Sequence, residues 1–312
     1  MVTKSVQLIP ALKLEYPVYN LDDQLLLPAG TELTPDTLDY IASLNRSGPP
    51  LNYSLLSYIK GDLLKFLRQP PYDVIFDRRK DLPLILDLFK KVPVAVPVLR
   101  SLEFFKINEP YTYRHILTTF ALTTFIAKDL ISDYQDLMME VASCPAHDIG
   151  KISVPLHILK KPAALTLPEL KILKHHTIAG YVLLSYYLND TRNLSAIIAK
   201  DHHERRDGSG YPLGKSLSDR MVEIVAVSDT YDALVSHRPY RKTPYDNRSA
   251  LEILTQMAER KEIGWDVVKA LVSYNRKDRP SFSDCMVSTE KRGSHPEGNM
   301  YGTIADENEQ HS

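Results

Sequence analysis

Cysteine is scarce in this sequence. Two occur in 312 residues, Cys144 and Cys285, far apart and in no metal-ligand spacing, which excludes a thiolate zinc framework and a disulfide scaffold. No run of about 18 uncharged apolar residues exists, so no segment reads as a membrane span. Charge of one sign is also lacking: 38 Lys and Arg stand against 39 Asp and Glu, a formal net charge of -1. That balance argues against a general binder of nucleic-acid polymers, which carries a basic excess. Residues 1 to 17 show no signal-peptide h-region or cleavage site, and with so few cysteines this points to a reduced, cytoplasmic protein. Histidine, by contrast, is abundant, and most of the ten fall between Thr112 and Glu204.

The length and the 44% apolar content suit about two globular domains. Val6–Ile9 and Tyr16–Tyr19 alternate as strands do, Asp22-Asp23 marks a turn, and Thr34 before Pro35 opens a helix. Helical spacing returns over Ser54–Gln69 and Asp81–Lys91 and then persists from Tyr111 to Tyr274. The fold class expected is mainly α: a helical bundle domain over 93–279, preceded by a small α/β module over 1–92. Residues 280–312 are polar without periodicity and read as a disordered tail; His295 and His311 in it receive no role.

Four segments carry chemistry. Pro145-Ala146-His147-Asp148-Ile149-Gly150-Lys151 places an imidazole and a carboxylate about 100° apart on a helix, with Gly150 turning Lys151 towards the same pocket. Ile198 and Ala199, one turn earlier, set His202 and His203 inward, while Lys200 with Glu204 and Asp201 with Arg205 form outward pairs before Gly208 ends the helix. Thr166-Leu167-Pro168-Glu169 is a capping box opening a helix through Tyr187, on which His176 faces inward and His175 solvent. Asp229 leaves an apolar stripe one turn after Val225, and a buried carboxylate needs a compensating partner. His115 opens an earlier amphipathic helix with Thr119, Leu122 and Ile126 on its own side, and taken alone it reads as a core histidine. Five imidazoles and two carboxylates without thiolates favour a borderline metal such as iron or manganese. They exceed one ion's needs and suit two ions sharing a carboxylate, an arrangement used for displacement at phosphorus.

In order and spacing these segments, with Gly208-Ser209-Gly210-Tyr211-Pro212, Asp229-Thr230-Tyr231-Asp232-Ala233-Leu234 and Arg238-Pro239-Tyr240-Arg241, resemble the HD-GYP branch of the HD phosphohydrolase superfamily. The resemblance implies a metal-dependent phosphodiesterase that hydrolyses cyclic di-GMP to linear pGpG or GMP. It implies that His115, His147, Asp148 and Asp229 hold one metal and His176, His202 and His203 the other, with Asp148 bridging. Lys151 would meet a phosphate, Arg238 and Arg241 the phosphate or guanine, and Tyr211 the substrate or a signalling partner. Two positions depart from the pattern: Tyr111 replaces a glutamate that helps some members hold a third metal, which favours two, and Thr118 replaces an arginine. The rival readings are a cyclic di-GMP receptor or interaction module without turnover, a nucleotidase, and a purely structural helical domain. Homodimerisation is left open.

Overall fold

The computed structural model describes residues 12–45, 52–76, 80–238, 243–300 and 302–305. The strand expected at Val6–Ile9 and the tail's His311 lie outside them. Strands β1 (Val18–Tyr19) and β2 (Leu25–Leu27) pair antiparallel across the Asp22-Asp23 turn, where Asp23 takes a positive φ of 58°. Helix α1 (Pro35–Leu44) follows because Thr34 accepts from the Thr37 amide and Pro35 presets the first turn. Val18, Leu27 and Ile41 then bury against Ala179, Val182 and Leu183, so this small module is seated on one helix of the larger body.

A second antiparallel pair, β3 (Asn52–Ser54) with β4 (Pro93–Ala95), brackets helices α2 (Leu55–Leu67), α3 (Tyr72–Ile75) and α4 (Asp81–Lys91). From there the chain is helical: α5 (Val96–Asn108), α6 (Pro110–Leu130) and α7 (Tyr134–Ser143). Two 3-10 turns, Cys144–Ala146 and Ile149–Ser153, precede α8 (Leu156–Leu159), α9 (Leu167–Lys174), α10 (His176–Leu188) and α11 (Leu194–Asp201). Helices α12 (Arg220–Val235), α13 (Asn247–Glu259) and α14 (Trp265–Tyr274) complete the order. One apolar core joins α2–α4 to the later helices, from Leu55 through Phe120 and Val225 to Leu271. The helices α6 and α12 pack together inside it, which is why both are buried on nearly every face and carry polar side chains into the interior.

Three local expectations are corrected. The helix opened by the Thr166 capping box does not run unbroken to Tyr187; it ends at Lys174, and α10 starts afresh at His176. His175 at that junction is 6% exposed, its ring edge-on to Tyr16 at 5.4 Å, because the amino-terminal module covers the face that helical phase alone assigns to solvent. In α11 the helix ends at Asp201, so Glu204 and Asp201 do not make outward i,i+4 pairs. Glu204 is buried instead and accepts from the Leu213 and Lys215 amides at 2.7 and 3.2 Å, while Asp201 takes the Lys215 ammonium at 2.7 Å. The described part of the tail is irregular apart from one 3-10 turn at Phe282–Asp284, yet it lies against the body. Cys285 is 1% exposed, the Asn299 amide donates to Thr243 O, and the Ala305 amide donates to Leu165 O at 3.0 Å.

Candidate metal centre

Helix α6 is started by Glu109, whose carboxylate accepts from the Thr112 amide at 2.6 Å, and this sets His115 facing the core one turn on. Nε2 of His115 lies 2.9 Å from Oδ1 of Asp229, which α12 delivers from its buried face. His147 leaves the Cys144–Ala146 turn with Nδ1 3.0 Å from the Cys144 carbonyl, which turns Nε2 to the same spot. His115, His147 and Asp229 thus offer one donor atom each, all within 4.8 Å of one another. His176, His202 and His203 form a second such group. His176 Nδ1 sits 2.6 Å from Leu173 O and His202 Nδ1 3.0 Å from Ile198 O, so both rings aim their Nε2 atoms inward, 3.5 Å apart.

Asp148 stands between the groups. Its Oδ2 is 3.5 Å from His147 Nε2 and 3.6 Å from His115 Nε2; its Oδ1 is 3.6 Å from His176 Nε2 and 4.0 Å from His202 Nε2. Lys151, on the next 3-10 turn, donates its ammonium to Oδ2 at 2.6 Å. Gly150 permits this: a Cβ there would fall 1.9 Å from the His176 carbonyl oxygen and 2.5 Å from the Gly180 amide, so the turn lies directly on α10.

The electrostatics suit a cation. Burial pushes the His147 imidazole down to about 4 and the His176 imidazole to about 3, and His202 and His203 are also lowered chiefly by burial. Burial disfavours the Asp148 and Asp229 carboxylates, yet Lys151 with the imidazoles around the first, and His115 with His203 beside the second, hold both well below the usual range. Imidazoles held neutral at these four positions and ionised carboxylates are the ligand forms a divalent metal requires. His147 Nε2 and Asp148 Oδ1 are buried with no hydrogen-bond partner, as donors reserved for an ion are. The residues fit a divalent metal.

A family model of the HD domain matches residues 107–267, half of the chain. The chain belongs to the HD domain family. It is 44% identical over 152 residues to a cyclic di-GMP phosphodiesterase of Thermotoga maritima, covering 47% of this chain and 40% of that protein. It is 37% identical over 170 residues to a cyclic di-GMP phosphodiesterase of Pseudomonas aeruginosa, covering 52% and 38%. A 3'3'-cGAMP-specific phosphodiesterase of Vibrio cholerae is 36% identical over 148 residues, covering 46% and 32%. The chain therefore spans well under half the length of the relatives it matches.

Beside the HD pair lies a cavity of about 260 Å³ lined by Lys151, Arg238, Tyr111 and Thr112, with Met300 and Thr303 of the carboxy-terminal segment on its far wall. Arg238 is thus brought to Lys151, whereas Arg241 lies outside the described residues. Tyr211 is not on that cavity; its ring stacks on His203 with centroids 4.6 Å apart, and the Lys174 ammonium lies 4.7 Å from its centre. The sequence reading missed Asp232. It is fully buried with Oδ2 2.6 Å from His115 Nδ1, and the Asp229-x-x-Asp232 spacing on one helix face was the available signal. Thr118, singled out as a departure, donates to Asp232 Oδ1 at 2.6 Å, and the Tyr72 hydroxyl donates to the same oxygen.

Proposed function

We propose that this HD domain is a metal-dependent phosphodiesterase that hydrolyses cyclic di-GMP to pGpG or GMP. The observation that carries the reading is Asp148, set between two three-donor groups with Lys151 on its outer oxygen. Two divalent ions would be held, one by His115, His147, Asp148 and Asp229 and one by His176, His202 and His203, with Asp148 standing between the two groups. Donors of nitrogen and oxygen without thiolate support iron, or manganese in its place. When bound, such a pair supplies Lewis-acid charge neutralisation and activation of water.

This chain's own groups do the rest. The Lys151 ammonium, already held at the cavity edge, donates to a phosphoryl oxygen and meets the negative charge that grows there. Arg238, on the same cavity, binds a phosphate or guanine edge, and Arg241 is assigned alongside it. The Tyr211 ring, stacked on His203 and off that cavity, is assigned to contact with the substrate or with a signalling partner. Overall, water adds across one P–O3' bond: its oxygen joins phosphorus and the 3' oxygen departs carrying a proton. Residues 93–279 carry the catalytic groups in this reading; of residues 1–92, the strand-and-helix module through α1 is the input unit, and α2–α4 share the helical core. The names of the relatives support the substrate class.

The test is anaerobic purification with metal quantification, then turnover of cyclic di-GMP beside 3'3'-cGAMP. About two ions per chain, with turnover lost in His147→Ala, is the expected result. A fully metallated protein that binds cyclic di-GMP and leaves it intact would instead assign a receptor.

A further inference from the structure

His147, His176 and His202 are oriented by backbone carbonyls at their Nδ1 atoms. His115 is held differently: its Nδ1 faces a side chain, Oδ2 of Asp232, at 2.6 Å. A carboxylate on a rotatable stem orients an imidazole only as well as it is itself fixed. Here the fixing falls on its second oxygen. Oδ1 of Asp232 accepts from Thr118 Oγ1 at 2.6 Å and from the Tyr72 hydroxyl, and all four residues are at most 1% exposed. Thr118 is one turn from His115 on α6, but Tyr72 comes from α3, ahead of the region that matches the HD domain. The Arg114 guanidinium over the Tyr72 ring, 5.6 Å from its centre, and the edge-on Tyr231 ring at 6.5 Å hold the phenol in place.

We propose that Tyr72 and Thr118 are positioning residues for the metal ligand His115, acting through Asp232. The inference rests on reading His115 as a ligand. It makes the affinity of one ion depend on a helix that precedes the HD match. Neither hydroxyl is required to touch metal or substrate.

The experiment is Mn(II) titration of the metal-stripped full chain against a competing fluorescent chelator. Tyr72→Phe and Thr118→Val, which delete the hydroxyls and keep the shapes, are expected to weaken binding of one ion about 10–100-fold. Thr118→Ser retains a hydroxyl and is expected to keep wild-type affinity. So is Tyr231→Phe, whose lost hydroxyl donates to Asn247 Oδ1 at 2.7 Å in the same core. Should Tyr72→Phe fail to fold, the Val and Ser pair at position 118 carries the test. Unchanged affinity in the hydroxyl deletions overturns the positioning role and leaves the metal centre standing. An equal loss in Tyr231→Phe also overturns it, since general core damage then suffices. A wild-type chain that binds no Mn(II) overturns the metal-centre reading along with it.

Discussion

Nζ of Lys151 donates to Oδ2 of Asp148 at 2.6 Å, and the two side chains are 10% and 1% exposed. One cation thus stabilises the carboxylate shared by both donor groups while its side chain also lines the cavity. Lys151→Met removes the charge and keeps the stem. Because a lost donor to a developing oxyanion costs about 10²–10³ in kcat, turnover of cyclic di-GMP is expected to fall by that much while the metal content holds. Steady-state kinetics beside metal analysis checks this; unchanged kcat would reduce Lys151 to a partner of Asp148.

The metal-free protein is expected to lose stability as pH falls from about 6.5 towards 4. The unfolded chain's histidines take up protons near 6.5, whereas His147 and His176 stay neutral in the fold until about 4 and 3. The unfolded state therefore binds more protons in that window, so stability rises with pH across it, by up to about 1.4 kcal/mol per pH unit for each such group. His115 opposes the trend: burial is outweighed by Asp232 and Asp229, its pKa is raised, and its contribution is lost as pH rises. The lowered Asp148 and Asp229 add their loss only below about 4. Tm in excess chelator should drop between pH 7 and 5, less steeply in His147→Gln. A flat wild-type profile contradicts this account.

Helical phase was enough to set His115, His176, His202 and Asp229 inward, since each lies among apolar neighbours that must be buried. It failed where a distant part of the chain supplies the cover. His175 has the phase of a surface residue and is buried only because Tyr16 and its module pack on that face. Glu204 has the phase of an outward partner for Lys200, but the helix stops at Asp201 and the Gly208–Lys215 loop folds back over it. Asp232 was visible as a second carboxylate on the face of Asp229. Tyr72 carries no local mark at all, because its one functional property is a contact across 160 positions of sequence.

Gly150→Ala is expected to destabilise the fold by about 1–3 kcal/mol, the usual cost of overpacking. The added methyl would meet backbone atoms of His176 and Gly180, which have no flexible end to yield. The turn must then lift off α10 and carry Asp148 and Lys151 with it, so metal affinity should fall together with Tm. Gly180→Ala is the control: its Cβ would lie 3.1 Å from the Ala199 side chain and 3.3 Å from the Gly150 amide, tight but short of collision. Equal effects from the two would show that space alone, and not the seat of Asp148, matters here.

The two thiols should report separately on the core and on the carboxy-terminal segment. Burial pushes the Cys144 thiol up to about 12, with Asp229 and Asp148 adding to it, so almost no reactive thiolate forms at pH 8. Cys285 is equally hidden, but it sits on the irregular segment that follows α14 and packs that segment on the core, and such a segment opens at lower cost than the helical core does. Alkylation of the folded protein, followed by mass spectrometry, should therefore modify Cys285 slowly and Cys144 only once the whole chain unfolds in guanidinium. Ligands that fill the cavity between Lys151 and the segment around Met300 should slow Cys285 further, since they bridge that segment to the body. Rapid labelling of Cys285 at a rate no ligand alters would mean that the segment does not hold this seat in solution.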